Sequence, residues 1–181
     1  MSSNKITQTI VELQKQFEGQ FPPVASWNPP LSGEMDMRID REGRWFHEGD
    51  EIKRHSMVKM FSSILKREGG EHFLVTPVEN WKIHVDIAPF LMTALSVKKN
   101  EGGQFVVLES NVGDKVLLSS ENTLWMEERG AEGQLPLVSV RSGLTGLVSR
   151  NVFYEIVDTL AQQDGGRHFI ESSGEKFWLE I

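Results

Sequence analysis

The chain has 181 residues, a formal net charge of −7 at pH 7 and no cysteine. That length is sufficient for one large domain or two small ones. The missing cysteines exclude disulfides, thiolate zinc sites and cysteine nucleophiles, and the negative charge argues against nonspecific binding to nucleic acid or to an anionic membrane. No apolar run approaches the roughly 18 to 20 residues of a membrane span, and residues 1–20 lack the apolar core of a signal peptide. We therefore expect a cytoplasmic protein with no membrane partner.

Two segments have the apolar spacing of amphipathic helices. Residues 3–18 are predicted to form a helix that docks on or caps the body, because its polar face mixes both signs of charge and does not suit a membrane surface. Its apolar face consists of Ile6, Ile10, Leu13 and Phe17. Residues 55–67 are predicted to form a second helix, with a continuous apolar face that Gly69-Gly70 brings to an end.

The segment 21–30 contains four prolines, which exclude it from a helix and from a central strand. We predict a stiff, extended strap that packs on the body with Trp27 as its anchor. A polyproline-type ligand for a partner protein is the alternative.

Most of the remaining chain has the alternation and turn residues of short strands. Residues 35–40 are predicted to pair with Trp45-Phe46-His47 as a hairpin, and a second turn follows at Glu48-Gly49-Asp50. Further strands are predicted at 71–76, 80–86, 91–98, 104–109, 115–118, 123–128 and 137–141, of which the last two form a hairpin.

An internal repeat relates the two halves of the chain. Gly69-Gly70-Glu71-His72-Phe73-Leu74 recurs 96 residues later as Gly165-Gly166-Arg167-His168-Phe169-Ile170. At the same offset, apolar helix positions map to apolar helix positions, and Arg54 maps to Arg150. Each half is therefore predicted to hold a helix, a Gly-Gly stop and a two-stranded hairpin. The predicted fold class is α+β and rich in antiparallel strands, with a helix at 1–20, one repeat domain at 21–87 and a second at 88–181.

The sequence contains no recognisable catalytic motif: phosphate-binding loops, nucleophile elbows and zinc-protease motifs are all absent. Basic residues instead gather near the start of each repeat helix and could receive a phosphate or carboxylate. In the first half Lys53, Arg54, His55 and Lys59 lie at the helix start, and in the second half Arg141 and Arg150 bracket the matching turn. The alternative is that Arg54 and Arg150 are structural braces.

Three further groups each have a functional and a structural interpretation. His72 and His168 could act as a symmetric pair of ligands or acid–base groups, but more often such residues are held for structural reasons. The acidic residues at 34–51 could support metal-assisted hydrolysis or form a solvated face. Asn111-Val112-Gly113-Asp114 forms a tight turn that could also present backbone N–H groups to a ligand. We expect no metal and no cofactor.

Several strings are similar to those of a bacterial family known as domain of unknown function 1285. In the first half they are Trp27-Asn28-Pro29-Pro30, Gly33, Met35-Asp36-Met37, Gly43-x-Trp45-x-x-x-Gly49, Ile52-x-Arg54, Phe61-Ser62-x-Ile64-Leu65-x-x-Glu68, Thr76-Pro77-Val78-Glu79 and Ala88-Pro89-Phe90. In the second half they are Asn111-Val112-Gly113-Asp114, Val140-Arg141-x-Gly143-Leu144 and Arg150 with Phe153-Tyr154. The resemblance covers the chain from about residue 21. It implies a two-domain α+β architecture with a duplicated core, a ligand site between the domains for a nucleotide-like or nucleic-acid-like group, and a role in signalling.

We therefore expect a ligand-binding or signalling module, more plausibly non-catalytic than an enzyme, with an anionic ligand at the domain interface. The residues expected to supply charge, stacking and turn contacts are Arg54, Arg141, Arg150, Trp27, Trp45, Tyr154, Asn111 and Asp114. One alternative is a metal-assisted hydrolase of a phosphorylated substrate that uses Asp36, Glu79 or Asp114. Another is a protein–protein adaptor that uses the strap and the first helix.

Overall fold

A computed structural model describes residues 2–17 and 20–179 of the chain. The chain divides into two compact units between Asp86 and Ile87. Within the described residues, no helix is both long enough and apolar enough to cross a membrane.

The first unit is built around one six-stranded sheet with the strand order β3-β2-β1-β6-β5-β4. Its elements are, in chain order, α1 (Ser2–Gln16), a 3-10 turn (Val24–Ser26), β1 (Gly33–Ile39), β2 (Trp45–His47), β3 (Asp50–Glu51), α2 (His55–Ser63), β4 (Leu65–Glu68), β5 (Glu71–Val75) and β6 (Asn80–Val85). Neighbouring strands are antiparallel except β1 and β6, which are parallel. The predicted hairpin of β1 with β2 is confirmed.

The core of the first unit contains the apolar residues of alternating strand positions and of both helices. Trp45 of β2 stacks on Phe61 of α2, with ring centroids 6.1 Å apart. Leu65 and Leu74 lie opposite each other on β4 and β5 and are both buried. Because α1 contacts α2 and buries Ile10, the first helix is a docked helix as predicted.

The proline strap is attached to the outer part of the same sheet. Val24 packs with Phe73 and Val75 of β5, and Trp27 lies against this cluster. Lys66 Nζ of β4 donates to the Trp27 carbonyl oxygen at 3.1 Å and to Asn28 Oδ1 at 2.8 Å. Trp27 is therefore the anchor of the strap, as predicted.

The second unit has a six-stranded sheet, a three-stranded sheet and one helix. Its elements are, in chain order, β7 (Phe90–Asn100), β8 (Gly103–Ser110), β9 (Lys115–Leu117), β10 (Leu124–Glu128), a 3-10 turn (Gly130–Glu132), β11 (Gln134–Arg141), β12 (Leu144–Val148), α3 (Arg150–Leu160), β13 (Gln162–Asp164), β14 (Arg167–Ser172) and β15 (Glu175–Leu179). The larger sheet has the order β10-β11-β12-β7-β8-β9, and the smaller has the order β13-β14-β15. The predicted hairpin of β10 with β11 is confirmed.

Ser172 ties the two sheets of the second unit together. Its side chain is fully buried, and its Oγ accepts from the Val106 N–H at 2.9 Å while donating to the Leu118 carbonyl oxygen at 2.7 Å. Ser173 Oγ donates to the same carbonyl oxygen at 2.9 Å. One buried hydroxyl thus satisfies backbone groups of β8 and of the segment after β9 that the sheets leave unpaired.

The prediction for the end of the second helix is wrong. Helix α2 ends at Ser63, Leu65–Glu68 is a strand, and Gly69-Gly70 is the turn of a hairpin. Both glycines have positive φ values of +57° and +83°, which suits the two-residue turn that joins twisted antiparallel strands. Gly165-Gly166 repeats this geometry with +57° and +82°. Adjacent apolar residues such as Ile64 and Leu65 fit a helical and an extended pattern equally well, which explains the error.

Each unit thus contains a helix followed by three antiparallel strands, not a helix followed by two. β4–β5–β6 corresponds to β13–β14–β15, a match that is compatible with internal duplication. The two-domain, antiparallel-rich part of the predicted fold class is confirmed, but the described chain is mostly β with few helices.

Strand β12 was not predicted from the sequence, and a glycine lies where it pairs with β7. It pairs in parallel with β7, placing Gly146 opposite Phe90. A Cβ atom on Gly146 would lie 2.6 Å from Met92 Sδ, so the absence of a side chain there makes room for the buried Met92 side chain of β7.

We predict that Ser172→Ala lowers the free energy of unfolding by about 1 to 3 kcal/mol, because the buried Val106 N–H then lacks its acceptor. Urea denaturation measures the change. The exposed Ser120 provides a matched control, and Ser120→Ala should have an effect within about 0.5 kcal/mol. Equal effects of the two substitutions would contradict a bridging role for Ser172.

Candidate functional site

The start of α2 carries several basic side chains that form no ion pair with the described residues. Arg54 is the N-cap residue, with extended backbone angles and no capping hydrogen bond from its side chain. The first turn of α2 contains no acidic residue. Lys53, Arg54, His55 and Lys59 are all exposed. The lysine and arginine side chains of this group lie near the positive end of the helix dipole, where an anion is favoured and a cation is not.

The start of α3 has a related arrangement with a proper cap. Ser149 is the N-cap, its Oγ accepts from the Val152 N–H at 3.4 Å, and its own N–H donates to the Met92 carbonyl oxygen of β7. Arg150 is the first helical residue and is exposed. Tyr154 lies one turn further on the same side of α3, and its side chain is 57% exposed.

The repeat explains why the two arginines occupy neighbouring rather than identical helix positions. Ser149 corresponds to Lys53, which has no acceptor oxygen in its side chain and so cannot cap a helix. Helix α2 therefore begins after Arg54, whereas α3 begins at Arg150. In the part of the chain that the structure describes, neither arginine side chain has a hydrogen bond or an ion pair.

Arg141 occupies a different environment, where it braces the second unit. Its Nε donates to Asp114 Oδ1 at 3.1 Å, and both side chains are largely buried. Its guanidinium carbon lies 4.9 Å from the centroid of the Phe90 ring. The pair connects the end of β11 with the turn before β9 and the start of β7, so the structural interpretation accounts for Arg141 and Asp114.

The 111–114 turn uses its polar groups to hold itself on the sheet. The Asn111 N–H donates to the Leu91 carbonyl oxygen at 2.8 Å, and the Leu91 N–H donates back to Asn111 Oδ1 at 3.2 Å. Ser110 Oγ accepts from the Asp114 N–H at 3.0 Å. Asn111 and Asp114 therefore have structural roles here, in agreement with the turn interpretation.

The two tryptophans expected to stack on a ligand pack against other side chains of the first unit. Trp45 is only 1% exposed and is stacked on Phe61. The expectation that it stacks on a ligand is therefore wrong, because its side chain points from β2 into the core. Trp27 is half-buried against the strap cluster, and its ring meets Phe17 edge-on at 6.3 Å. Of the predicted stacking residues, Tyr154 has the exposed ring.

His72 and His168 occupy equivalent strand positions but have different surroundings. His72 Nε2 is buried without a hydrogen-bond partner among the described residues. Burial, and to a smaller extent the nearby charge of Arg67, lowers the pKa of His72 to about 4. His168 Nε2 lies 3.4 Å from Gln163 Nε2, within hydrogen-bonding distance. Neither residue shows a metal-ligand arrangement.

The acidic residues for which metal chemistry was the alternative to a solvated face do not converge within the described ranges. No group of three or more histidine, aspartate or glutamate side chains there is placed to share a metal ion. Asp40 is buried and accepts from the N–H groups of Glu42 and Arg44 and from Arg44 Nε, so it stabilises its own hairpin.

Sequence reasoning missed an ionic cluster on the outer face of the first sheet. Arg38 donates to both carboxylate oxygens of Asp86, at 2.9 and 2.5 Å, and His84 Nε2 lies 3.1 Å from Asp86 Oδ1. The bond from Arg38 lowers the pKa of Asp86. The sequence did contain a signal for this cluster, because His84 and Asp86 are two residues apart at the end of β6 and so point to the same side. Arg38 could not be identified as their partner without knowing that β1 and β6 pair in parallel.

The structure thus brings together Asn111, Asp114 and Arg141, and it places Arg150 beside Tyr154. Trp27, Trp45 and Arg54 lie in the first unit, each in a separate environment. The expected ligand site between the domains stays a prediction. The exposed arginines at the starts of α2 and α3 are the residues that remain open to a ligand.

Comparisons with known proteins place the chain in a family. Residues 22–88 match the model of "Domain of unknown function (DUF1285), N-terminal domain", and residues 89–179 match that of "Protein of unknown function (DUF1285), C-terminal domain". A DUF1285 family protein from Silicibacter pomeroyi DSS-3 is similar in structure, with 38% sequence identity, 94% of this chain and 93% of that chain covered, and a TM-score of 0.84. One from Shewanella baltica OS155 shares the fold, with 23% identity, 68% and 91% coverage and a TM-score of 0.53. No curated protein matches. The chain belongs to the DUF1285 family, which confirms the resemblance seen in the sequence.

We predict that Arg141→Met lowers the free energy of unfolding by about 3 kcal/mol, because the Asp114 carboxylate is left largely buried without its cation. Urea denaturation of Arg141→Met, Asp114→Asn and the double variant measures the pairwise coupling. Arg54→Met is the control and should change stability by less than about 0.5 kcal/mol. Strictly additive effects of the two substitutions would rule out the brace.

We predict that His72 makes the fold less stable as the pH falls from about 6.5 towards 4. Its pKa is lower in the folded chain than its ordinary value, so the unfolded state binds the proton first and gains stability from it. Chemical denaturation at pH 7 and pH 5 should show a smaller loss in His72→Gln, by on the order of 1 kcal/mol after allowance for solvent screening. His168→Gln is the matched control, and identical pH profiles for His72→Gln and the unsubstituted chain would contradict this assignment.

Proposed function

We propose that this member of the DUF1285 family is a non-catalytic module that binds anionic, nucleotide-like ligands at two helix starts, one in each unit, where Arg54 of α2 and Arg150 of α3 are exposed. The observation that carries the proposal is that Arg54 and Arg150, which correspond to each other in the repeat, are both exposed at a helix start and without an ion pair among the described residues. A role in signalling, which the family resemblance implies, would consist of reporting the presence of that ligand.

The chemistry of the α2 start supports an anion rather than a neutral ligand. The first backbone N–H groups of a helix have no partner within the helix and point outward. At α2 the side chain of the cap residue does not satisfy them, and the neighbouring side chains are cationic. A phosphate or carboxylate at this position would receive hydrogen bonds and offset the mutual repulsion of Lys53, Arg54 and Lys59.

The start of α3 adds a feature that favours a nucleotide over a simple anion. Arg150 can contact a phosphate with two parallel N–H donors, and Tyr154 offers an exposed ring on the same side of the helix. An aromatic ring can stack on a nucleobase, and such stacking contributes about 1 to 3 kcal/mol per base. The spacing of one helical turn therefore suits a ligand with a charged group and a flat group.

The alternative of a metal-assisted hydrolase receives less support from the side chains. Asp114 is held by Arg141, Asp36 is exposed on β1, and Glu79 lies in the turn before β6. Magnesium-dependent turnover of a phosphorylated compound that is lost in Asp36→Asn would favour this alternative and displace the non-catalytic assignment.

We predict that Arg54→Ala and Arg150→Ala each weaken nucleotide binding at their own helix start by about tenfold, which corresponds to the loss of one charge-assisted contact. A thermal-shift screen of ribonucleotides, cyclic dinucleotides, short oligonucleotides and pyrophosphate identifies the compound, and isothermal titration calorimetry at two salt concentrations measures the affinity. Tyr154→Leu should weaken a nucleotide but not pyrophosphate.

The exposed Lys98 provides a control that removes one positive charge from the same chain. Lys98→Ala should leave the affinity within twofold, and all the variants should keep their melting temperatures. If Arg54→Ala and Arg150→Ala lower the melting temperature and no anion on the panel binds, the two arginines are structural and the proposal fails.

A further inference from the structure

A second candidate surface lies on the outer side of the strap in the first unit. We call it the strap surface. It consists of Phe21, Pro23, Pro30 and Leu31 from the strap, together with Pro77 and Val78 from the turn between β5 and β6. All of these residues are exposed.

Hydrogen bonds connect the strap to that turn. The Ser32 N–H donates to the Asn80 carbonyl oxygen at 2.7 Å, and the Asn80 N–H donates to Ser32 Oγ at 3.0 Å. The Thr76 N–H donates to the Glu79 carbonyl oxygen at 2.9 Å and closes the turn that carries Val78. Leu31, which precedes Ser32, is therefore held close to this turn.

The strap surface exposes large apolar side chains that a folded chain normally buries. Phe21 is 60% exposed, Leu31 is 61% exposed and Val78 is 70% exposed, the three highest values for large apolar residues in the described chain. Single exposed apolar residues are common, but here the strap and the turn that is hydrogen-bonded to it carry three of them, and a concentration of this kind marks an interaction site.

The strap is also free of charge in a chain of which one quarter of the residues are charged. Residues 20–33 contain no acidic or basic side chain. The one cation beneath them, Lys66, is largely buried and directs its ammonium group to Trp27 and Asn28. Depletion of charge with retention of aromatic and aliphatic groups is typical of the centre of a protein interface.

We propose that the strap surface binds a partner protein through a short apolar segment that basic residues flank. The apolar centre fits the uncharged strap. The basic flanks fit Glu34 at its border, an exposed carboxylate that Lys82 Nζ approaches to 3.4 Å, in a chain of net charge −7. The prolines and the Trp27 anchor hold the strap in place, so little conformational entropy is lost on binding.

The size of the surface favours a segment over a second copy of the chain. Three side chains with these exposures present on the order of 300 Å² of apolar area, whereas a stable interface buries about 800 Å² on each partner. Two copies would also each carry the charge of −7. The first helix does not enlarge the surface, because Ile10 and Leu13 are already buried.

A phage-displayed library of random 12-residue peptides tests the proposal with the full-length chain as bait. Peptides with an apolar centre and flanking lysine or arginine should be enriched on the unsubstituted chain and not on the variant Phe21→Ser/Leu31→Ser/Val78→Ser. For synthetic copies of the enriched peptides, fluorescence polarisation should show affinity at least about tenfold weaker for that variant and for Val78→Ser alone.

The control variant Val11→Ser/Leu117→Ser removes two other exposed apolar side chains and should bind the peptides unchanged. Melting temperatures establish that each variant folds, and the single Val78→Ser variant keeps the test valid if the triple variant does not. Equal enrichment on all baits, or no enrichment, overturns the proposal. So does a concentration-dependent dimer in light scattering that the triple variant abolishes, since the occupant is then a second copy. Arg54→Ala and Arg150→Ala should not affect peptide binding, so this proposal and the anion site fail separately.

Discussion

The register of one repeated hairpin determines how each unit buries its core. The two positive φ values of Gly69-Gly70 allow a two-residue turn, which places Glu68 opposite Glu71 and Leu65 opposite Leu74. A shift of this pairing by one residue would move Leu74 from the helix-facing side of the sheet to the other side. Gly165-Gly166 imposes the same constraint on β13 and β14, where Ile170 is fully buried. A side chain with a Cβ atom is disfavoured at both glycines of such a turn. The turn between β14 and β15 has Ser173 at +54° in the first position and Gly174 at +79° in the second, so the second glycine is the stricter requirement.

The same repeat is covered in two different ways on its other face, and this difference gives each unit its own surface. In the first unit, Phe73 is covered by the strap through Val24 and Trp27. In the second, the equivalent Phe169 packs against Trp178 of the neighbouring strand, with ring centroids 5.4 Å apart, and Lys176 Nζ lies 4.3 Å above its ring. One unit therefore needs an added segment to bury its aromatic residue, and the outer side of that segment becomes the strap surface.

The two sets of arginines differ in whether the fold already supplies their counter-charge. Arg141 has a largely buried carboxylate at hydrogen-bonding distance and an aromatic ring beside it, so its charge is balanced within the second unit. Arg54 and Arg150 stand at helix starts without acidic residues in the first turn, so the helix dipole adds to their positive potential. This contrast, rather than the number of basic residues, is what favours the helix starts as places for an anion.

The sequence alone determined the features that depend on residues close together along the chain. Apolar periodicity located α1, the start of α2 and most strands, the prolines identified the strap, and the 96-residue offset with the distinctive strings identified the repeat and the family. Only the tertiary structure decided the parallel pairings of β1 with β6 and of β12 with β7, the end of α2, the burial of Trp45 and the partner of Arg141. Each of these depends on residues that are distant in sequence or on a choice between two patterns that the local sequence fits equally well. A side chain's exposure and its ionic partner depend on what the rest of the chain packs against it. For this reason the candidate site differs more from its prediction than the fold does.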